Sequence, residues 1–269
     1  MFSRVHVQAL GAGNTCFFLI RMSAQAVTIP TTVLDEMAPT GRLRAAINFG
    51  NPVLARRDHN GNPIGISVEL ARILAEELRV DLEMVFYDAA GKVFASLHDN
   101  QWDVAFMAIE PVREKEIAFT NPYVVIEGTY LVRRESPYTA VAELDAPDVS
   151  IAVGKGAAYD LFLTRSLTAA TLVRADTSAG AVDAFIGQKL DAAAGVRQPL
   201  QEVAASDEQY RVLEDSFTSI RQAMAVCRER AAAARYLHDF IERQIASGFV
   251  RSVLEELGQS DVTVPGSHA

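Results

Sequence analysis

The sequence predicts an α/β fold with two lobes, each a mostly parallel sheet flanked by helices. Strand-like and helix-like segments alternate twice along the chain, once before and once after a polar break at residues 133–137. A strand-like segment at 220–226 then returns the chain toward its first half. Such alternation is typical of a parallel sheet covered by helices. Two β crossings between two lobes would form a hinge with a cleft between the lobes.

The composition is that of a globular protein and argues against several function classes. The chain has 269 residues, enough for one large or two ordinary domains, and 49% of them are hydrophobic. Asp and Glu outnumber Lys and Arg by 34 to 25, which argues against a nucleic-acid-binding surface. Cys16 and Cys227 are too few to indicate a disulfide framework, and the five histidines show no metal-ligand spacing. We therefore expect no metal and no cofactor.

The first 40 residues are predicted to be a leader or a lead-in segment. The apolar residues 17–20 and the small or polar residues 24–26 resemble the core and the cleavage site of a signal peptide. Glycines and polar residues at 11–15 interrupt that core, so translation from Met22 without a leader is the alternative. The first case predicts export, and the second predicts a cytoplasmic protein. No segment approaches the roughly 18 apolar residues of a membrane span, so we do not expect an integral membrane protein.

Residues 41–130 are predicted to form the first part of lobe 1. The hydrophobic pattern predicts strands at 43–49, 82–87 and 104–109, a turn at 58–63, and helices that begin at Gly65 and near Val93. Ser67 is a candidate N-cap for the first of these helices.

Residues 131–220 are predicted to form lobe 2, which is inserted into lobe 1 after a crossing at 130–136. The pattern there predicts strands at 149–153, 171–174 and 190–195, and helices at 159–167 and from a cap at Ser178 onward. Residues 221–257 are expected to return to lobe 1 and to form C-terminal helices, because apolar residues recur there at helical spacing. The tail, 258–269, is expected to be disordered.

Arg113 is the first candidate for a binding residue. It follows an apolar run, 104–109, that predicts a buried strand ending before Pro111. Ligands of open α/β sheets lie in the crevice beyond the carboxyl ends of the strands. A guanidinium there presents a rigid set of donors that suits a carboxylate or a phosphate. The alternative is a solvated turn in which Arg113 pairs with a neighbouring glutamate such as Glu110.

Four segments, taken in order and at their spacing, resemble the extracellular solute-binding proteins of family 3, the polar amino-acid receptors of ABC importers. They are the turn and helix start at 61–70, the stretch from Trp-Asp-Val to Asn-Pro-Tyr at 102–123, the Val-Gly-Lys-Gly turn at 153–156, and the Gly-Gln-Lys-Leu-Asp-Ala element at 187–192. The resemblance extends from Gly41 to Leu257. It implies the type II periplasmic-binding-protein fold, a periplasmic monomer, a small carboxylate ligand and an ABC permease as partner.

The resemblance places Arg113 on the family arginine that grips the α-carboxylate of the substrate. Other positions depart from the family pattern. Ala108 stands where a hydroxyl side chain is common, and Ala157 follows the second-lobe turn where a threonine is usual. The family's acidic residue, which binds the α-ammonium, falls near Val196, beside Arg197. An ordinary α-amino acid is therefore not assumed, because a buried ammonium without a partner is costly.

Two interpretations of the ligand follow from these departures. In one, Glu110 supplies the missing negative charge; its alternative role is an ion pair with Arg113. In the other, Arg197 faces the cleft and the ligand is a carboxylate without an amine, diacids included; its alternative role is that of a surface arginine. Further candidates, the last four with ordinary turn or core roles as the alternative, are Phe106, Gly156, Asn48, Asn51, Tyr159 and Gln222.

The leading functional hypothesis is a ligand-binding receptor without catalytic residues. Its lobes would close on a small carboxylate, and the closed form would be presented to a membrane permease. The second hypothesis is an enzyme, because the implied fold also carries cyclohexadienyl and arogenate dehydratases, in which a cleft carboxylate acts as general acid. Glu110 would be that acid in a carbon–oxygen lyase, with its pKa raised by burial. The third hypothesis is a cytoplasmic binder without a transporter.

Overall fold

The computed structural model describes residues 29–266. The strands are β1 Arg42–Asn48, β2 Arg56–Arg57, β3 Pro63–Ile64, β4 Asp81–Tyr87, β5 Val104–Ala108, β6 Ile117–Phe119, β7 Val124–Arg133, β8 Ser150–Gly154, β9 Thr171–Ala175, β10 Ala192–Val196, β11 Tyr210–Val212 and β12 Thr218–Cys227. The helices are α1 Thr31–Met37, α2 Ile66–Leu78, α3 Ala90–Ala95, α4 Ala158–Ser166, α5 Ser178–Gly187, α6 Arg197–Ser206, α7 Ala231–Ala246 and α8 Phe249–Glu256, with short 3-10 turns at Leu97–Asp99 and Val141–Leu144.

The main sheet has the strand order β4-β1-β5-β12-β7-β10-β8-β9, with β6 and β11 paired at its side. β1 pairs in parallel with β4 and β5, and β8 pairs in parallel with β9 and β10. Parallel neighbours need a crossover, which the intervening helices provide. The two predicted series of alternating strands and helices are therefore confirmed, one on each side of the central pair β12-β7.

Two long strands connect the lobes. β7 and β12 pair with each other in antiparallel fashion through Val124–Gly128 and 218–222. Beyond this stretch β7 pairs with β10, and β12 pairs with β5. The change of partner in β7 falls at Gly128, slightly earlier than the crossing expected at 130–136. A glycine is needed there, because a Cβ at Gly128 would lie 2.9 Å from the Phe217 ring. These paired strands form the hinge.

Each lobe has its own apolar packing on both faces of the sheet. In lobe 1, the apolar stripes of α2 and α7 bury Leu74 and Phe240 completely, as expected for residues at helical spacing. The opposite face packs α3 around Trp102, whose indole nitrogen donates to the Val93 carbonyl at 3.3 Å. In lobe 2, α5 buries Phe185 against one face of the sheet. These cores hold the strand ends, which face the cleft, in fixed positions.

The lead-in segment predicted for residues 1–40 contains a helix of lobe 1. Residues 29 and 30 precede α1, and Met37 at its end is fully buried. The Glu36 carboxylate accepts a hydrogen bond from the Ala233 backbone N–H at 2.8 Å, in the first turn of α7. The leader prediction itself concerns residues that lie outside the described range.

The local predictions for Ser67 and for the tail are wrong. Ser67 does not cap α2: Gly65 is the N-cap, and Ser67 lies buried inside the first turn, 3.4 Å from the Tyr123 hydroxyl. Gly65 has φ of 135° and passes so close to the Leu54 carbonyl that a side chain would not fit. The tail is ordered as far as residue 266, because buried Val262 and its neighbours pack on the hinge and the Thr263 carbonyl accepts from the Val125 N–H at 2.8 Å.

No helix within residues 29–266 combines the length and the apolarity needed to cross a bilayer. Over that range the side chains of His, Cys, Asp and Glu form no group of three or more that is arranged to hold a metal ion.

Candidate functional site

A cavity lies between the lobes at the carboxyl ends of the parallel strands. Lobe 1 contributes the end of β1 and the end of β5, lobe 2 contributes the ends of β8 and β10, and β12 closes the inner wall. The cavity measures about 40 Å³. The predicted site residues among those that line it are Asn48, Asn51, Phe106, Ala108, Arg113, Ala157, Tyr159 and Gln222. The location matches the general rule for ligand sites in open α/β sheets.

Arg113 is fully buried and spans the two lobes. Its Nη1 donates to the Ala108 carbonyl at 2.9 Å, and its Nη2 donates to the Gly156 carbonyl of lobe 2 at 2.8 Å. Nε is buried without a hydrogen-bond partner within the described chain. A buried N–H without an acceptor is costly. The guanidinium is therefore held in place by two carbonyls while its Nε–H stays available to a ligand.

The turn after β5 fixes Arg113. The N–H groups of Arg113 and Glu114 both bond to the Glu110 carbonyl, at 2.9 and 3.0 Å, which folds the chain back beneath the strand end. Burial lowers the pKa of Arg113 to about 10, and the charge of Glu110 partly offsets this. The guanidinium therefore remains cationic at neutral pH, in a setting where an anion is attracted more strongly than at the surface.

Other polar side chains of the cavity differ in whether they are already bonded. Asn48 Oδ1 accepts from the Gly50 N–H at 2.9 Å, and the Tyr159 hydroxyl donates to Ser178 Oγ at 2.8 Å. Asn51 is about nine-tenths buried, and within residues 29–266 its Oδ1 has no hydrogen-bond partner. Gln222, on β12, lies opposite Ala108 in the strand register. Asn51 is therefore a second polar group that a ligand would satisfy.

Glu110 does not line the cavity. Its carboxylate forms a 2.6 Å ion pair with Arg165 of α4, so it links lobe 1 to lobe 2. The two expected roles, an ammonium partner and an ion-pair partner of Arg113, therefore do not match the geometry. The physical reason is that Arg165, on the facing helix α4, already pairs with the Glu110 carboxylate. The Arg113 Nη atoms donate to the Ala108 and Gly156 carbonyls and not to Glu110.

Arg197 does not face the cavity either. Its Nε forms a 2.6 Å ion pair with Glu127, and its Nη1 and Nη2 donate to the carbonyls of Leu213, Glu214 and Asp215 at about 3 Å. The neighbouring Val196 does line the cavity. Because α6 begins directly after β10, the guanidinium turns toward the hinge and not toward the cleft.

Gly156 contributes to the site through its backbone. It has φ of 72°, a conformation that favours glycine, and its N–H donates to the buried Asp160 carboxylate at 2.8 Å. Its carbonyl then points across the cleft to Arg113. A Cβ on Gly91 of lobe 1 would lie 2.6 Å from the Lys155 carbonyl, so the closed lobes meet backbone to backbone at this point.

Sequence reasoning missed several cavity residues. Thr177 and Ser178 line the cavity at the start of α5, and Thr177 is the N-cap, where Ser178 was expected to be. Gly91, which approaches the Lys155 carbonyl across the cleft but is not among the lining residues, was also missed, because glycine at a helix start has several ordinary explanations. The charged residues that line the cavity are Arg113 and the exposed Lys155, and among the described residues no Asp or Glu joins them. The electrostatic setting is therefore one for an anion.

A larger chamber continues the cavity outward between α5 and α6. It measures about 610 Å³ and shares with the cavity the residues Gly50, Asn51, Tyr159, Thr177, Ser178 and Val196. Its walls are mostly apolar and include Phe49, Val182, Leu200 and Val203. A cavity of about 40 Å³ holds only about three waters. A ligand head group would therefore occupy the inner cavity while its body extends into the chamber.

A family model agrees with this architecture. The model for bacterial extracellular solute-binding proteins, family 3, matches residues 43–256. That range includes both lobes and every predicted site residue.

Individual relatives are distant in sequence, and a solved structure superposes on this chain. The amino-acid-binding protein AabA of Dichelobacter nodosus is 24% identical over 140 residues, 51% of this chain, and the match spans about half (55%) of that relative's length. The L-cystine-binding protein of Escherichia coli K12 is 22% identical over 241 residues, 86% of this chain and 88% of its own. An ancestral amino-acid-binding protein described as a precursor of cyclohexadienyl dehydratase superposes with a TM-score of 0.70 at 23% identity, covering 83% of this chain and 98% of that one. The fold is the two-lobed type II periplasmic-binding-protein fold.

Proposed function

Because the chain belongs to the bacterial extracellular solute-binding proteins of family 3, we propose that it is a receptor for a small carboxylate-bearing ligand. The ligand is an amino acid or a related organic acid, held in the cavity between the lobes. The single observation that carries this proposal is Arg113, which is fully buried and keeps Nε without a partner among the described residues. A carboxylate offers the acceptor geometry that a guanidinium prefers.

Lobe closure accounts for tight binding in this proposal. Arg113 bonds to the Gly156 carbonyl across the cleft, and Glu110 pairs with Arg165 across it. Both contacts form only when the lobes are together, so they support the closed state that excludes water from the ligand. Exclusion of water strengthens the attraction between the guanidinium and an anion. The β7-β12 pair supplies the hinge for this movement.

Delivery to an ABC importer is the finer part of the proposal. A receptor of this family would act as a monomer outside the cytoplasm and present its closed form to a permease. Mass spectrometry of the N-terminus of the native protein tests the location. A mature chain that starts near Val27 supports export, whereas a start at Met1 or Met22 contradicts it and favours the cytoplasmic binder.

Arg113→Ala tests the binding proposal. The full chain and the variant are compared by thermal shift across amino acids, keto acids and dicarboxylates. The parent is expected to gain melting temperature with at least one acid, and the variant is expected to bind that acid roughly 100-fold more weakly, because a charge-assisted hydrogen bond contributes about 3 kcal/mol. Arg42→Ala is the matched control, since Arg42 is an exposed lobe 1 arginine paired with Glu83 at 3.3 Å. An Arg113→Ala shift equal to that of the parent contradicts the assignment.

A dehydratase function is the second candidate, because the ancestral neighbour is described as a precursor of cyclohexadienyl dehydratase. Its general acid would be Glu110. That carboxylate is taken up by Arg165 and lies outside the cavity lining, which does not favour such a role. Incubation with prephenate and arogenate tests it directly: turnover that is lost in Glu110→Gln would replace the receptor proposal with an enzyme.

A further inference from the structure

The charges around the cavity restrict the kind of acid it accepts. An amino acid brings an ammonium together with its carboxylate, and a buried ammonium needs a negative or well-oriented acceptor. The charged residues that line the cavity are Arg113 and Lys155, both cationic, and within residues 29–266 no carboxylate is among the lining side chains. The cavity thus provides for the anionic half of an amino acid and not for its cationic half.

Two acidic residues close in sequence to lining residues of this site, Glu110 and Asp160, are committed to other partners. Glu110 is bound to Arg165 at 2.6 Å. Asp160 is 3% exposed, and it accepts from the Gly156 N–H and pairs with Arg174 at 3.0 Å. Moving either carboxylate to an ammonium would break a cross-lobe ion pair or release the turn that holds Gly156. Neither is therefore available to a ligand.

The acidic residues of the outer chamber do not replace them. Asp88, Asp183 and Glu202 line that chamber. All three are exposed to solvent, and Asp88 already pairs with Lys92 at 2.8 Å. An ammonium beside them would stay hydrated and would gain little, because exposed ion pairs are weak. The preference between an ammonium and an uncharged group therefore depends on the residues of the inner cavity.

Asn51 indicates what stands in the place of the ammonium. Its side chain is about nine-tenths buried, lines the cavity, and has a carbonyl oxygen without a partner in the described structure. The amide is neutral, so it offers no charge to an ammonium. The orphaned Asn51 Oδ1 is an acceptor and needs a donor, which a ligand hydroxyl supplies and a ligand carbonyl does not. A hydroxyl therefore satisfies Asn51 without bringing a further positive charge beside Arg113.

We infer that the ligand is an organic acid that carries a hydroxyl in place of the ammonium of an amino acid. This inference rests on the proposed function, in which Arg113 holds the carboxylate. The body of the acid lies in the apolar chamber between α5 and α6.

Matched ligand sets test the inference. Calorimetric titration of the full chain at neutral pH compares three acids of the same carbon skeleton: alanine, lactate and pyruvate; phenylalanine, 3-phenyllactate and phenylpyruvate; glutamate, 2-hydroxyglutarate and 2-oxoglutarate. In every set that binds, the hydroxy acid is expected to bind at least tenfold more tightly than the amino acid, and more tightly than the oxo acid, which has no hydrogen to donate to Asn51 Oδ1. An amino acid that binds equally well or better overturns the inference.

The same titrations separate this inference from the proposed function. If an amino acid binds most tightly in its set and Arg113→Ala removes its binding, Arg113 still holds the carboxylate and only the inference fails. If no acid of these sets or of the wider thermal-shift screen binds, the proposed function fails and the inference falls with it.

Asn51→Leu provides a second readout. In the parent, 3-phenyllactate is expected to bind more tightly than 3-phenylpropionate, which lacks the hydroxyl. In the variant, this ratio is expected to fall to about one. The Asn51 side-chain oxygen makes no hydrogen bond within the described residues, so the substitution removes no hydrogen bond of that oxygen to the fold. A ratio that stays unchanged excludes Asn51 as the partner of the hydroxyl and overturns its part in the inference.

Discussion

Arg113 and Arg197 start from the same sequence signal and end in opposite roles. Each follows a buried strand end, and each was a candidate for the cleft. Arg113 is fully buried with two bonds to carbonyls and a donor left over. Arg197 is bonded to Glu127 and to three carbonyls of the chain between β11 and β12. Arg113 Nε therefore remains free to donate to a ligand, whereas all three nitrogens of the Arg197 guanidinium donate to groups of the fold.

The difference teaches that the position after a strand is not sufficient to identify a binding arginine. What decides is the number of donors that the rest of the chain leaves unsatisfied, because a buried N–H without an acceptor costs free energy until a ligand provides one. The comparison therefore predicts that Arg113 controls affinity, whereas Arg197 controls stability.

Arg197→Ala is expected to have the largest effect on stability. The substitution removes an ion pair and the hydrogen bonds to three carbonyls. The Thr129 hydroxyl still donates to the carbonyls of Leu213 and Asp215, so the free energy of unfolding should fall by about 2 kcal/mol. Thermal unfolding of the full chain checks this, with an expected loss of roughly 5 °C or more. Ligand affinity should remain within about twofold of the parent. A variant that keeps its melting temperature and loses binding would reverse the two roles.

Gly91→Ala tests whether closure brings the lobes to the position in which Arg113 reaches Gly156. The added methyl would lie 2.6 Å from the Lys155 carbonyl, so the lobes must stay slightly apart. If the closed state becomes tenfold less populated, the apparent affinity for the ligand falls about tenfold. Calorimetric titration measures this fall, and stability should not decrease, because alanine favours the helix.

Gly187→Ala is the matched control for Gly91→Ala. It makes the same change at the end of α5, where no atom lies within 4 Å of the added methyl. Affinity should match that of the parent. If both variants bind like the parent, the backbone approach at Gly91 plays no part in closure.

The pH dependence of binding gives the smallest expected effect. The protonated guanidinium binds the carboxylate, and burial lowers the pKa of Arg113 to about 10 in the free protein. Bound carboxylate raises that pKa, so affinity is constant below about pH 9 and falls as the pH rises through 10. At pH 10.5 the expected fall is about fourfold relative to pH 8. Titration of Lys155→Gln is the control: loss of the pH dependence in that variant would assign it to Lys155.

The sequence was sufficient for the architecture because its signals are local. The alternation of strands and helices, the return strand and the turn at 58–63 each depend on neighbouring residues, and the sheet pairing confirms the alternation. The tail was misjudged because only Val262 and Val264 mark it as packed, and two alternating valines beside glycine and polar residues are too weak a pattern.

The site was harder to predict because its decisive contacts are distant in sequence. Arg113 could be placed at a strand end, but its partner Gly156 lies 43 positions away, and Glu110 finds Arg165 55 positions away. Glu127, the ion-pair partner of Arg197, is 70 positions distant. No local sequence pattern indicates which side-chain N–H donors remain without a partner after such contacts form. The orphaned atoms of Arg113 and Asn51 become visible only in the folded chain.

A crystal structure of the full chain with the acid that raises its melting temperature most tests the central claim directly. The account predicts a carboxylate oxygen about 3 Å from Arg113 Nε, inside the cavity between the lobes, and no ligand atom bonded to Arg197. A carboxylate bound anywhere else, with Arg113 still bonded only to Ala108 and Gly156, would contradict it.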